Sequence, residues 1–183
     1  MTHLLQQGDK APLFHSTDQS GLPVILENYL GRKVLLAFFR NSACALCNTR
    51  VHHFIQQYSK WRQQGLEIIA VFESPEANLR DNVGRQTAEF PLIADPEALL
   101  YDKYGVETSE EKVQATLSDV NTKNFISEAE ALGFKLIKEE GANFHRIPAE
   151  FLIDREGIVQ VAHYGRLITD HLPIETINGF TES

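Results

Sequence analysis

The sequence predicts a single α/β domain, and three observations predict it. Two nearly unbroken apolar runs, Val34-Leu35-Leu36-Ala37-Phe38-Phe39 and Leu66-Glu67-Ile68-Ile69-Ala70-Val71-Phe72, have the length and content of strands buried on both faces. Between them, Leu46, Cys47, Val51, Phe54, Ile55, Tyr58 and Trp61 recur at steps of mostly three and four residues, which is helical periodicity. A chain of 183 residues suits one domain that needs no staples, burying roughly 70% of its unfolded surface.

The elements follow in order. Residues 14–25 read as a small hairpin around Ser20-Gly21. The two apolar runs and the helix 45–64 form a strand–helix–strand unit, so the crossover is right-handed and the strands parallel. Gly65 fits the position after the helix, where positive φ is needed. Ser74-Pro75-Glu76-Ala77 and Asp95-Pro96-Glu97-Ala98 each place an N-cap residue before proline at the first helical position. They predict helices running to about Gly84 and about Gly105. Thr108-Ser109-Glu110-Glu111 has capping-box spacing and opens a helical insertion over about 106–144. Residues 150–154 and 158–163 flank Arg155-Glu156-Gly157 as a second hairpin, and 170–180 carries a last helix.

Composition excludes several functions. Lys+Arg number 17 and Asp+Glu 25, a net charge of −8, which disfavours nucleic acid and anionic membranes as partners. No run reaches the length of a membrane span, and the N-terminal Met1-Thr2-His3-Leu4-Leu5 lacks the basic, then apolar pattern of a leader. A cytoplasmic location is expected. Two cysteines cannot build a disulfide-stapled scaffold or a four-cysteine zinc site. In a reducing compartment a cysteine pair is more often catalytic, redox-sensing or metal-binding than structural.

That pair is Cys44-Ala45-Leu46-Cys47, placed between a buried strand and the start of a long helix. Cys44 is expected in the first turn, where free N–H groups and the helix dipole stabilise an anion. A thiol near pKa 8.5 is only a few per cent thiolate at pH 7, and such a site lowers it to roughly 3.5–7.5. Cys47 lies almost one turn later on the same face, close enough to attack a mixed disulfide or a sulfenic acid formed on Cys44. Two other readings stand beside dithiol chemistry: inert buried cysteines, and zinc held by Cys44, Cys47 and His52 or His53. The strand–CxxC–helix context favours redox chemistry.

Arg40, four residues before Cys44, either stabilises a thiolate or caps a strand end. His145 and Arg146 either border a substrate groove or belong to a solvated loop. His163 and His171 read as hydrogen-bonded histidines and Trp61 as core. The acidic stretch 106–140 reads as a solvated helix face or a cover over the groove.

Phe38-Phe39-Arg40-Asn41-Ser42-Ala43-Cys44-Ala45-Leu46-Cys47 resembles the thioredoxin superfamily. Gly8-Asp9-Lys10-Ala11-Pro12-Leu13-Phe14 is similar to the opening of its peroxiredoxin (alkyl hydroperoxide reductase/thiol-specific antioxidant, AhpC/TSA) branch. Arg146-Ile147-Pro148-Ala149-Glu150 through Gly157 resembles the superfamily's cis-proline strand and hairpin. His163-Tyr164-Gly165-Arg166 and Asp170-His171-Leu172-Pro173 resemble the tail of peroxiredoxin-like proteins carrying a CxxC. The resemblance spans about residues 8–180.

The resemblance implies a thioredoxin-like fold over residues 1–183: a central mixed sheet flanked by helices, with the N-terminal hairpin and the helical insertion. It implies that Cys44 attacks, that Cys47 resolves to a redox-active disulfide, and that a cis Pro148 after Ile147 packs beside the cysteines. It implies an antioxidant oxidoreductase with no bound cofactor, acting as monomer or homodimer on a peroxide or disulfide. A thioredoxin- or glutathione-type thiol system would recycle it. A non-enzymatic redox sensor is the alternative. Typical peroxiredoxins carry Thr or Ser three residues before the peroxidatic cysteine and Pro four residues before that; here those places hold Asn41 and Ala37. They also carry an arginine where this chain has Pro148. Slow peroxide reduction with retained thiol–disulfide exchange is therefore expected.

Overall fold

The computed structural model describes residues 3–183; Met1 and Thr2, part of the N-terminal reading above, lie outside the described residues. The first hairpin is present: β1 (His15–Thr17) pairs antiparallel with β2 (Pro23–Ile25). Its turn is held by the Asp18 carboxylate, which accepts from the Ser20 and Leu22 N–H groups.

The strand–helix–strand unit forms where the apolar pattern places it. β3 (Lys33–Phe38) leads to α1 (Ala45–Gln63), and β4 (Leu66–Phe72) returns parallel to β3. Gly65 takes φ +85° after the helix, a conformation that costs glycine little. Then come α2 (Glu76–Asp81), β5 (Leu92–Ala94), α3 (Leu99–Tyr104), α4 (Glu110–Ser118) and α5 (Thr122–Ala131). The second hairpin, β6 (Ala149–Ile153) and β7 (Val159–Tyr164), and α6 (Ile174–Glu182) complete the described chain.

The main sheet has the order β5-β4-β3-β6-β7. β4 runs parallel to both β3 and β5, whereas β6 is antiparallel to β3 and β7, so the sheet is mixed as expected. Alternate residues of β3 point to opposite faces. Leu35 and Ala37 join Val51, Phe54 and Trp61 of α1 and Ile177 of α6 in one core. Leu36 and Phe38 join Tyr101 and Tyr104 of α3, Phe151, and Phe14 and Val24 near the small hairpin in the other. Coverage on both faces explains why β3 and β4 read as continuous apolar runs rather than alternating ones.

Several boundaries move, each for a tertiary reason. β5 carries no signal in the sequence, since three residues are too few to show a period. α2 begins at Glu76 with Pro75 rather than Ser74 at its N-cap, because the Ser74 hydroxyl donates to Glu139 instead. It stops at Asp81, and a 3₁₀ turn follows over Val83–Gln86. The Asp95 carboxylate does cap a helix, but from farther out, accepting from the N–H groups of Leu99 and Leu100. At α4 the cap is Ser109, which accepts from Lys112 N–H, while Thr108 pairs with Arg146 in an isolated bridge. α6 starts only after Pro173, since Asp170 is engaged by His163 and the Arg166 N–H.

Candidate active site at the start of the first long helix

Cys44 is the N-cap of α1, one position before the first turn. Its sulfur occupies the place where a serine or aspartate oxygen commonly caps a helix, and it accepts from the Cys47 N–H at 3.4 Å. The preceding loop is built to hold it there. Asn41 O accepts from Cys44 N–H, and Asn41 Oδ1 from Ala43 N–H. Asn48 Nδ2 donates to the carbonyls of both Ser42 and Cys44, and Gln86 Nε2 in turn donates to Asn48.

Arg40 supplies a cation. Its Nη1 lies 3.7 Å from the Cys44 sulfur, while Nη2 donates to Phe144 O at 2.7 Å and Nε to Arg146 O at 3.1 Å. Two carbonyls thus aim the guanidinium at the thiol. Both cysteines are almost fully buried, Cys44 at 7% exposure and Cys47 at 3%. Hydrogen bonding from the Cys47 side chain, the Arg40 charge and the Cys47 N–H outweigh burial and draw the Cys44 thiol down to about 6. Burial first, then the neighbouring Cys44 sulfur, push the Cys47 thiol up. The two thiols of one buried pair are thus shifted in opposite directions.

Below the loop lies a carboxylate that sequence reasoning missed. Glu139, 6% exposed, accepts from Ser42 Oγ at 2.6 Å and Ser74 Oγ at 2.7 Å. Ser74 Oγ also accepts from the Ser42 N–H. In sequence, Lys138-Glu139-Glu140 reads as a solvated charge run, and no local pattern marks its middle residue as buried.

Three residues after Cys47, Arg50 is 7% exposed and forks onto Glu150 of β6, with Nε and Nη2 each 2.8 Å from a carboxylate oxygen. Arg50 Nη2 also donates to Leu172 O, and His171 Nδ1 lies 3.2 Å from Glu150 Oε1. Burial alone raises the Glu150 carboxyl; Arg50 and His171 overcome it and hold the group well below the usual carboxylate range. This pair was legible in principle: Glu150 interrupts an apolar strand, and Arg50 falls on the buried face of α1. A cavity of about 220 Å³ opens above it, walled by Leu46 of the CxxC, Phe125 of α5, and Leu172 and Ile174.

Ile147 and Pro148 are buried, and Arg146 O ties their segment to Arg40. The expectation of a cis Pro148 is corrected, because no cis peptide bond occurs among the described residues. Trans is the lower-energy isomer by about 0.5–1 kcal/mol. The segment enters β6 without a turn, with Ile147 N–H donating to Glu107 O and Pro148 O accepting from Gly165 N–H. At Gly165 a Cβ would fall 2.8 Å from that carbonyl, so the close approach requires glycine.

Arg146 is buried and paired with Glu73, and His145 is exposed. His163 pairs with Asp170. Trp61 is core, its Nε1 donating to Asn178. His53 turns to Glu128 and His52 to the Phe134 ring. Among the described residues no group of three His, Cys, Asp or Glu side chains is arranged to hold a metal ion.

The AhpC/TSA family model matches residues 7–162. A Mycobacterium tuberculosis protein whose name places it among the peroxiredoxins, Rv2521, is 23% identical over 171 residues, 93% of this chain and 92% of the relative. The thiol-disulfide oxidoreductase ResA of Halalkalibacterium halodurans is 31% identical over 104 residues, 56% of this chain and 58% of ResA. Two crystal structures share the fold. One, described as the thiol:disulfide interchange protein DsbE from Chlorobium tepidum, has a TM-score of 0.65 at 23% identity, covering 96% of this chain and 95% of its own. The other, peroxidoxin BcpB from Mycobacterium tuberculosis, has a TM-score of 0.69 at 15% identity, covering 98% and 97%. With its thioredoxin-like sheet and a CxxC at the head of α1, the chain belongs to the AhpC/TSA family of peroxiredoxin-like oxidoreductases.

Proposed function

We propose that this protein is a thiol-dependent oxidoreductase in which the Cys44 thiolate attacks and Cys47 resolves. The observation that carries the reading is the Cys44 sulfur at the N-cap of α1, with the Cys47 N–H and the Arg40 guanidinium both turned to it. With a disulfide, Cys44 forms a mixed disulfide and expels one thiolate. Cys47, on losing its proton, then attacks the Cys44 sulfur and expels the second. The substrate gains two electrons and the CxxC loses two as its disulfide forms. With a hydroperoxide, Cys44 is oxidised to a sulfenic acid and an alcohol or water leaves; Cys47 condenses with it and releases water. An external thiol system of the thioredoxin or glutathione type returns the two electrons, in keeping with a cytoplasmic, reducing location and an antioxidant role.

Disulfides are the favoured substrate. Preorganised donors that polarise the reacting group are typically worth a factor of about 10²–10³ each. The hydroxyl and the arginine of typical peroxiredoxins are absent from their expected places. Arg40 supplies one cation, and the Asn41 amide oxygen is committed to the Ala43 N–H.

Stopped-flow mixing of the reduced protein with hydrogen peroxide, an organic hydroperoxide and a model disulfide tests this. The disulfide should react measurably and hydrogen peroxide far more slowly than diffusion allows. Cys44→Ser should abolish turnover with an added reductant, and Cys47→Ser should stop at a trapped adduct. Peroxide consumption near the diffusion limit would reject the preference, and a more reactive Cys47 would reject the division of labour. Absence of turnover with every reductant would leave the chain a redox sensor rather than an enzyme.

A further inference from the structure

We propose that residues 134–145 form a strap over the dithiol, latched by Glu139, and that the latch sets the size of substrate Cys44 can attack. The proposal rests on the reading of Cys44 as the attacking thiol.

The strap carries neither helix nor strand. Its anchors bracket the cysteine loop. At one end the Phe134 ring meets His52 on α1, with centroids 6.3 Å apart. At the other, Asn143 Nδ2 donates to Glu73 and Phe144 O accepts from Arg40, whose other arm reaches Cys44. Between them Glu139 enters beneath Ser42 and Ser74. The loop before α1 and the first turn of the helix are buried: Ser42 at 0%, Ala45 at 4% and Asn48 at 6%.

Between these end anchors, little else fastens the strap. Of residues 131–145, Glu139 is the one buried side chain, while Leu136 and Ile137 are 62% and 58% exposed. The strap contributes scant apolar burial there, and the hold on its middle concentrates in two short hydroxyl–carboxylate bonds. No cation pairs with that carboxylate among the described residues, so releasing it breaks no ion pair.

The consequence is selectivity by size. A peroxide needs only a narrow path to the sulfur. A disulfide within a folded protein brings its flanking backbone and must displace the strap. If the open state is populated at about 0.1–10%, as minor conformers commonly are, reactions that require it are slowed about tenfold or more.

The test compares two probes, insulin as a protein disulfide and hydrogen peroxide as a small oxidant, on the reduced protein. Glu139→Ala should raise the insulin-to-peroxide rate ratio about tenfold. Glu139→Gln, which keeps the shape and one acceptor, should raise it less. If Glu139→Ala does not fold, Ser74→Ala removes one of the two donors and should raise the same ratio. An unchanged ratio in the folded variants, or equal changes for both probes, would overturn the strap. Insulin reduction that survives in Cys44→Ser would instead overturn the assignment of the attacking thiol.

Discussion

At the scale of single residues, the decisive contrast is between two thiols three positions apart. Both lie in the core with Val51, Phe54 and Phe72, but it is Cys44 that receives the Cys47 N–H and faces the Arg40 guanidinium. The Cys44 thiol, drawn down from its ordinary value to about 6, should be alkylated by iodoacetamide at a rate that rises through about pH 6 and levels off above about 7.5. Arg40→Gln should move that midpoint up by about one pH unit. A midpoint that stays put would show that the helix end and Cys47 suffice. The same groups link stability to pH. An unfolded chain keeps the thiol protonated to about pH 8.5. Between about 6 and 8.5 the unfolded state therefore binds more protons, and the reduced protein gains stability as pH rises and loses it as pH falls through about 6. Cys47, held protonated when folded, opposes this only above about pH 8.5. Urea unfolding of the reduced protein against Cys44→Ser, at about pH 5.5 and about pH 8, measures the difference.

At the scale of elements, the sheet and α1 are joined by a buried ion pair as well as by apolar contact. The Arg50–Glu150 fork links α1 to β6, and the backbone of Leu172 closes it on both sides, its N–H donating to Glu150 and its carbonyl accepting from Arg50. Removing one partner of such a pair strands the other in the interior, at a cost of about 3–5 kcal/mol. Glu150→Gln should lose about that much in chemical denaturation, and Glu150→Leu with Arg50→Met should recover most of it. Equal losses in the single and double variants would mean that the charges contribute nothing beyond packing. The elements also show what a local reading captures. β3, α1 and β4 declare themselves because burial on both faces or one face writes a period into the chain. The starts of α2, α3 and α6 do not, because Ser74, Asp95 and Asp170 each have a choice of partners that only the assembled fold settles.

At the scale of the whole molecule, β3 lies at the centre of the sheet and α6 closes over one face. Lys33, at the start of β3 and 4% exposed, donates from Nζ to the carbonyls of Phe180 and Thr181 in the last turn of α6. The arrangement places a cation where the helix dipole is negative. Trp61, the single tryptophan, donates to Asn178 of the same helix, so its emission reports α6 docking. Lys33→Met should cost about 1–3 kcal/mol and shift the Trp61 emission to the red before the far-ultraviolet dichroism is lost. Coincident transitions would show that α6 unfolds only with the rest.

The sequence by itself determined the α/β architecture, the parallel β3–α1–β4 unit, both hairpins and the placing of the CxxC between strand and helix. Each is a local consequence of burial period, turn chemistry or capping, carried by residues close together in the chain. Only the tertiary structure decided the rest. It turned Arg40 onto the Cys44 sulfur by means of two carbonyls about a hundred residues away. It buried Glu139 under Ser42 and Ser74, paired Arg50 with Glu150, added β5 and kept Pro148 in trans. A charged or hydroxyl side chain has many possible partners of similar strength. Which one it takes depends on what the packed core brings within about 3 Å of it, and no periodicity along the chain encodes that distance.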